Sequence, residues 1–568
     1  MIKFILENFD TIFKNENSLE TLNKIILDLA IKGKLVPQNE NDEPAGELLK
    51  RIQAEKERLI KEKIIKKEKP LPEITEEEIP FDIPKNWEWV RLGDISKYIQ
   101  RGKSPEYSEI EEIPVISQKC VQWTGFDITK ARYINPNSLN KYTEERFLQK
   151  NDLLWNSTGE GTLGRIAIYD KEIFKKVVVD SHVTIIRNLF VNSQYLLLYF
   201  SSGKVQNEIN SKANGSTKQT ELATSTIKEY ILPLPPIEEQ KRIVEKVEKL
   251  QELIKNLKEI YSSDEKNRNN LKKSLLSEIE KSSDDTKLLN NLELVFNNFD
   301  KIVKTKEDIK DIRNLILSLA IKGKLVPQNE NDEPAGELLK RIQAEKERLI
   351  KEKIIKKEKP LPEITEDEIP FDIPKNWEWV RLRDIACINP KNIADDNVIA
   401  SFIPMKLISD GYINKHSSEN KFWKEIKNGF THFQNEDIGI AKITPCFENR
   451  KSVIFKNLKN CIGAGTTELY IIRLFLKNIE NKYLLNVFKT EDFIKKGVGT
   501  YTGTAGQQRV KREFIENYLI PLPPLEEQKR IVKKVENLME ICNLLEEKIN
   551  ISENISENLL KSFTNNGE

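Results

Sequence analysis

Residues Pro233–Glu248 read PLPPIEEQKRIVEKVE, and Pro521–Glu536 read PLPPLEEQKRIVKKVE. Each block opens on a proline-rich bend. It then sets two carboxylates, Glu238-Glu239 or Glu526-Glu527, in a first helical turn, where the positive end of the helix dipole favours them. Apolar residues follow at Ile243, Val247, Leu250, Ile254, Leu257 and Tyr261. The second copy has Ile531, Val535, Leu538, Cys542, Leu545 and Ile549. Alternating steps of four and three make a heptad seam. Two long seamed helices in one chain predict an intramolecular coiled coil. The alternative is a helix docked on the core of its own domain.

The repetition reaches further. Leu29–Leu92 recurs as Leu319–Leu382, and the two copies differ only at Glu77, which becomes Asp367. Between the shared blocks lie Gly93–Leu232 and Arg383–Ile520, which have little in common. The chain therefore alternates shared and unique parts, with a period far too long for a solenoid. One large unit is used twice. Identical surfaces predict identical partners, and dissimilar surfaces predict dissimilar targets.

Within the shared part, Leu19–Ile31 and Ile312–Ile321 read as helices capped by Gly33 and Gly323. A polar link is expected near Ser282–Thr286. The first of these helices supplies the continuation that the C-terminal repeat lacks, so the two chain ends are predicted to lie close together and close a pseudo-twofold ring. A third helix is predicted over Ala45–Lys69, with a thin apolar stripe at Leu48, Ile52, Leu59 and near Ile64. The rest of it is charged, and a charge run of this kind is most simply a solvated face or a partner-docking arm. Ile79–Leu92 then reads as an extended lead-in ending in a strand, with Trp87 and Trp89 packing the start of each insert.

Both inserts read as mixed α/β. Strands are predicted at Val115–Ser117, Leu153–Trp155, Ile166–Tyr169 and His182–Ile186, followed by a helix at Tyr195–Ser202. The second insert follows a similar order with Ile438–Ile443, Ser452–Phe455, Leu469–Leu474 and a helix at Lys482–Phe488. The predicted fold class is α+β: two mixed α/β domains joined by long antiparallel coiled-coil helices, with internal pseudo-twofold symmetry. The predicted segments are 1–36, 37–84, 85–236, 237–326, 327–374, 375–524 and 525–568.

Composition narrows the classes. The 568 residues include 91 Lys plus Arg and 90 Asp plus Glu, a net charge of +1. The chain as a whole is not a polycation, so any nucleic-acid contact must come from local patches. Gly93–Leu232 carries 18 basic and 16 acidic residues, and Arg383–Ile520 carries 21 and 15. Positive charge thus concentrates in the inserts, the sign expected of surfaces that face phosphates. No apolar run approaches the roughly 20 residues of a membrane span. No secretory signal is read at Met1–Asp10. Five scattered cysteines and three distant histidines suggest neither a disulfide framework nor a zinc site. The expectation is a cytoplasmic protein.

Motifs for chemistry are missing. Gly159–Gly164 matches GxGxxG, but strand-like Arg165–Tyr169 follows it, so a glycine-rich hairpin is predicted instead of a dinucleotide site. No Walker A loop occurs, and no Asn-Pro-Pro-aromatic motif of an amino-methyltransferase. The carboxylate pairs at Glu238 and Glu526 already have a sufficient cause in the helix dipole.

The order of parts resembles the specificity subunit of a type I restriction–modification system. The residues that carry the likeness are Leu232–Val244 and Ile520–Val532, the helix end Leu315–Gln328, the twice-used lead-in IPFDIPKNWEWVRL and the stretch Gly439–Ile454. The resemblance implies two target-recognition domains that each read half of a split double-stranded DNA site, with the helices fixing the gap. It also implies two adenine-N6 methyltransferase subunits on the shared framework, and a pair of DNA-translocating restriction subunits as further partners. On this reading the chain is non-catalytic and holds no cofactor. S-adenosylmethionine, ATP and magnesium belong to the partners.

Hydrogen-bonding side chains on glycine-bearing loops are the candidates for base and phosphate contact. In the first insert they are Lys119, Gln122, Asn156, Thr158, Arg165, Lys218 and Gln219. In the second they are Lys442, Thr444, Asn449, Arg450, Thr502, Gln507, Gln508 and Arg509. Trp123 and Trp155 are expected in the core. Two other functions compete: a protein-binding coiled-coil scaffold, which would not bind DNA even with its partners, and a self-contained DNA enzyme, which would act alone.

Overall fold

The computed structural model describes residues 9–13, 16–159, 161–170, 174–213, 221–281, 287, 290–291, 294–295, 297–476, 479–504 and 506–565. The predicted link at Ser282–Thr286 lies outside them. The chain forms two compact units: 1–266 with 553–568, and 267–552. Six helices make the shared frame: α1 (Glu16–Ile31), α2 (Ala45–Lys61), α3 (Ile237–Lys281), α4 (Lys306–Ile321), α5 (Ala335–Lys351) and α6 (Leu525–Asn565). Each long helix begins in one unit and ends in the other: α3 starts in the first, and α6 starts in the second.

In the first unit the seam of α3 buries Ile243, Val247 and Ile254 in a core shared with Leu19, Ile26 and Ala30 of α1. Leu559 and Leu560, from the end of α6, pack on the same core. Tyr261 Oη donates to the Phe13 carbonyl at 2.9 Å, and Ser556 Oγ donates to the Ile12 carbonyl at 2.8 Å. The second contact brings segments near the two ends of the chain together within this unit. In the second unit the seam of α6 buries Ile531, Val535 and Cys542 against Ile309, Leu315 and Ile316 of α4. Leu275 and Ile279, from the end of α3, complete that core. Each seam therefore takes in a short helix as well as the far end of the other long helix, and three helices share the burial.

The charged helices α2 and α5 end at Lys61 and Lys351, eight residues earlier than the charge pattern suggests. Lys63 and Lys353 adopt φ of 61° and 57°, and the next amides, of Ile64 and Ile354, return to the Leu59 and Leu349 carbonyls at 2.9 Å. A left-handed residue after the last turn closes a helix in this way even when it is not glycine. Gly33 and Gly323 close α1 and α4 at φ of 66° and 68°. A Cβ there would stand 2.5 and 2.6 Å from the rings of Pro84 and Pro374, so glycine is required sterically as well as conformationally.

Each insert is clasped at its base. Shared strand Glu88–Arg91 pairs antiparallel with Ile231–Leu234, and Glu378–Arg381 pairs with Leu519–Leu522 in the same register. The proline-rich bend thus begins as a strand, and its last two prolines lead into the helix. Above the clasp lie two four-stranded sheets per insert. In the first insert one sheet runs Ser96–Arg101, Val183–Asn188, Asp152–Asn156, Ile166–Tyr169. Its counterpart runs Ala386–Ile388, Leu469–Leu474, Ile438–Ala441, Ser452–Ile454. Order and antiparallel pairing agree although the sequences do not.

The likeness extends to a buried ion pair. Asp152 and Arg187 meet at 2.7 Å in the first insert, and Asp437 and Arg473 meet at 2.7 Å in the second. Burial pushes both carboxyls up, and the arginine in each case pulls back down.

Candidate nucleic-acid interface

The bases of both inserts are fixed by the repeated EEQKR residues. Glu239 is fully buried. Its carboxylate accepts from Trp87 Nε1 at 3.0 Å and from Gln38 Nε2 at 2.5 Å. Glu527 accepts from Trp377 Nε1 at 2.9 Å and from Gln328 Nε2 at 2.6 Å. Burial raises both carboxyls above their ordinary value, and the indole and amide donors oppose the rise. The helix dipole is therefore only part of why these glutamates are there.

The next residue reaches into the insert. Gln240 Oε1 accepts from the Asn192 amide at 2.9 Å, at the start of the insert helix Ser193–Phe200. Gln528 Oε1 accepts from the Glu480 amide at 3.0 Å, ahead of the helix Asn481–Phe488. Those helices anchor in return: Tyr195 Oη donates to the Pro233 carbonyl at 2.7 Å, and Tyr483 Oη to the Pro521 carbonyl at 2.6 Å. Arg242 and Arg530 close the arrangement on Asp42 and Asp332. A shared YLL at Tyr195–Leu197 and Tyr483–Leu485 is the sequence signal for the tyrosines. Nothing local marked Glu239 as a hub.

In the first insert the polar candidates converge from two loops. Gln118 Nε2 donates to Thr158 Oγ1 at 2.8 Å, and Thr158 Oγ1 lies 2.7 Å from His182 Nδ1. Arg165 Nη1 donates to Gln122 Oε1 at 3.0 Å, and Gln122 Nε2 donates to the Lys119 carbonyl at 2.7 Å. Lys119, Gln122, Thr158 and Arg165 therefore form one polar face, with Lys119 exposed. The GxGxxG segment lies between the antiparallel strands Asp152–Asn156 and Ile166–Tyr169, as a hairpin requires.

Two readings change here. Asn156 is fully buried, and its Nδ2 donates to the Gln118 carbonyl at 3.2 Å, so it shapes the loop from beneath. Trp155 is buried as expected, but Trp123 is 55% exposed. Lys218 and Gln219 lie outside the described residues.

In the second insert the strand Ile438–Ala441 runs on into a loop that is bridged to a second one. The Thr444 amide donates to the Gln508 carbonyl at 2.9 Å, and the Val510 amide to the Lys442 carbonyl at 2.9 Å. Thr502 and Arg509 exchange backbone hydrogen bonds at 3.0 and 2.9 Å. This ladder brings Lys442, Thr444, Thr502, Gln507, Gln508 and Arg509 together. Arg509 is held flat by a two-pronged pair with Glu468, at 2.9 and 2.8 Å. Asn449 is exposed beside them in sequence.

Arg450 turns away from that face. It is buried, donates to the Lys489 carbonyl at 3.0 Å, pairs with Glu491 and lies over the Tyr412 ring. Lys489 is buried beside it and donates to the Gly411 carbonyl at 2.6 Å. Burial, with the neighbouring Arg450 charge, brings its pKa down to about 7. Arg450 thus belongs to the interior.

Among the described residues no cluster of His, Cys, Asp or Glu is arranged to hold a metal ion, and no helix is long and apolar enough to cross a membrane.

These features define a two-module protein: a duplicated helical frame carries two inserts that share one sheet topology and present differently lined polar faces. A family model for the type I restriction modification DNA specificity domain matches residues 84–263 and 374–552, and the chain belongs to that family. The chain is 54% identical over 261 residues to the type I restriction enzyme EcoAI specificity subunit of Escherichia coli, covering 45% of this chain and 44% of the relative. It is 50% identical over 261 residues to the EcoEI specificity subunit of the same organism, with the same coverage. Each match spans less than half the length of these relatives. The crystal structure of the HsdS subunit from Thermoanaerobacter tengcongensis is 16% identical, covering 86% of this chain and 98% of the other, with a TM-score of 0.42.

Proposed function

We propose that this chain is the DNA-reading subunit of a type I restriction–modification complex. Each insert reads one half of a bipartite double-stranded site, and the α3/α6 helices set the gap. The shared frame docks two copies of an adenine-N6 methyltransferase subunit, and two restriction subunits join the same complex. The chain performs no chemistry itself. S-adenosylmethionine, ATP and magnesium act in its partners.

One observation carries the reading: two inserts that share one four-stranded sheet topology, held by clasps of the same register, present different side chains. Lys119, Gln122, Thr158 and Arg165 line one face, and Lys442, Thr444, Gln508 and Arg509 line the other. Lys, Arg, Gln and Thr are the side chains that hydrogen-bond base edges and phosphates. The test is methylation of DNA with labelled S-adenosylmethionine, by the purified chain with and without the methyltransferase. The expected result is label only when both are present. Equal label from the chain alone would contradict the proposal, and failure of the pair to bind DNA would favour a scaffold.

A further inference from the structure

Trp123 sits at the tip of a tight hairpin. Val121 pairs with Phe126 and Gln122 with Gly125, which leaves Trp123 and Thr124 as the connecting residues. Gly125 takes φ of 117°, which lets the chain turn sharply. The stem is rigidly mounted. Val121 is fully buried, the Phe126 ring meets Tyr169 edge-on at 5.4 Å, and the Asp127 amide returns to the Cys120 carbonyl at 2.9 Å. The indole itself makes no hydrogen bond or ring contact among the described residues, and 55% of the residue faces solvent. The other tryptophans are buried or half-buried.

The second insert shows what an occupied counterpart looks like. There a turn at Met405–Leu407 follows the strand Ile399–Ile403, as Gln118–Cys120 follows Pro114–Ile116. A hairpin closed by the Ile408–His416 bridge comes next. Its Tyr412 is tied down: Oη donates to Asn314 Oδ1 of α4 at 2.6 Å, and the Arg313 guanidinium lies over the ring at 5.6 Å. Trp123 has no such tie. It stands instead beside Gln122, which Arg165 holds, and near exposed Lys119. An exposed indole on a rigid tip, rimmed by cationic and amide side chains, suits a base face flanked by phosphates.

We propose that Trp123 is a stacking probe of the first insert: on docking, its indole packs against a base at one step of the half-site and locally unstacks it. This rests on the DNA-reading function proposed above. Aromatic wedges at base steps, and stacking on exposed rings, are established means of gripping DNA.

The test uses the full chain with its methyltransferase subunit and a duplex carrying the methylated site mapped in host DNA, with a scrambled duplex as control. The difference in tryptophan emission between wild type and Trp123→Phe isolates this residue. That difference emission is expected to be quenched by the site duplex. Trp123→Ala is expected to bind the site about tenfold more weakly, with an unchanged melting temperature, and Trp123→Phe to retain most of the affinity. An unquenched difference emission, or wild-type affinity in Trp123→Ala, overturns the stacking proposal and leaves the DNA-reading function standing. A wild-type complex that does not prefer the site over the scrambled duplex overturns both.

Discussion

Trp87 donates its indole N–H to the buried carboxylate of Glu239 at 3.0 Å, and Trp377 repeats the bond to Glu527 at 2.9 Å. The tryptophan begins the clasp of an insert and the glutamate begins a long frame helix, so this contact helps tie module to frame. Glu239→Ala leaves the Trp87 and Gln38 donors without a partner, at a cost of about 2 kcal/mol. Hydrogen exchange should show protection lost around residues 84–92 and 231–243 and kept in the unit formed by 267–552. Loss spread evenly over both units would contradict the assignment.

The frame also carries a buried carboxylate with the opposite bias. Asp308 is 1% exposed, and burial alone would raise its pKa. The Lys272 ammonium at 2.6 Å and donors from Lys304 and Thr305 outweigh that and hold it at about 2. A carboxyl depressed on folding stabilises above its unfolded value of about 3.9, and that stabilisation is lost as pH falls towards 2. The contribution is about 2–3 kcal/mol. Urea midpoints of wild type and Asp308→Asn should therefore differ most at neutral pH and converge on acidification between pH 4 and 2. A gap that does not depend on pH would show that Asp308 is not ionised by these partners.

Lys442 and Arg450, eight residues apart, should behave differently. Lys442 stands on the bridged loop face. Lys442→Ala should weaken DNA binding about equally for all sequences and lower the log–log salt slope by about one, with stability unchanged. Arg450 spans Lys489 and Glu491 in the interior. Arg450→Ala should cost about 2 kcal/mol by leaving the buried Lys489 carbonyl without its donor. A stably folded Arg450→Ala complex with lost affinity would return Arg450 to the interface.

Much of this was legible in the sequence, and the rest failed for physical reasons. The duplication, the seams, the glycine caps and the insert strands named from sequence follow from period and spacing, and they agree with the observed elements to within a few residues; the edge strands Ser96–Arg101 and Ala386–Ile388 and the sheet built from Ile399–Ile403, Glu419–Phe422, Thr431–Gln434 and Ile462–Gly465 were not read. The Lys61 stop was hidden because a lysine at positive φ ended the helix while the charge pattern ran on. Glu239 was hidden by sufficiency: the helix dipole already accounted for an acidic first turn, so a buried hub needed no separate signal. Asn156 and Arg450 look like surface residues by type and loop context, and only the packing beneath them shows otherwise. Trp123 failed in the opposite sense, since indoles are usually core and a hairpin tip cannot be told from a strand end by composition.

The proposed spacer role makes a prediction in base pairs. Helix α3 has 45 residues, about 68 Å at ~1.5 Å per residue. Seven residues inserted between Leu257 and Leu271 keep the heptad register and add about 10 Å, or about 3 base pairs at ~3.4 Å each. Sequencing the methylated adenines of a strain carrying this variant should find unchanged half-sites with a longer gap, and the packing of α6 sets an upper bound on the change. Insertions of one or two residues should break the seam and abolish assembly. An active complex with an unaltered gap would mean that something other than this helix is the ruler.

The most direct measurement concerns the independence of the two readers. Replace Gly93–Leu232 with the corresponding insert of another family member, leaving the clasp strand Glu88–Arg91 and the frame intact, and map methylated adenines across host DNA. The account predicts that one half of the methylated site changes while the other half and the gap stay as they were. A site in which both halves change would contradict it.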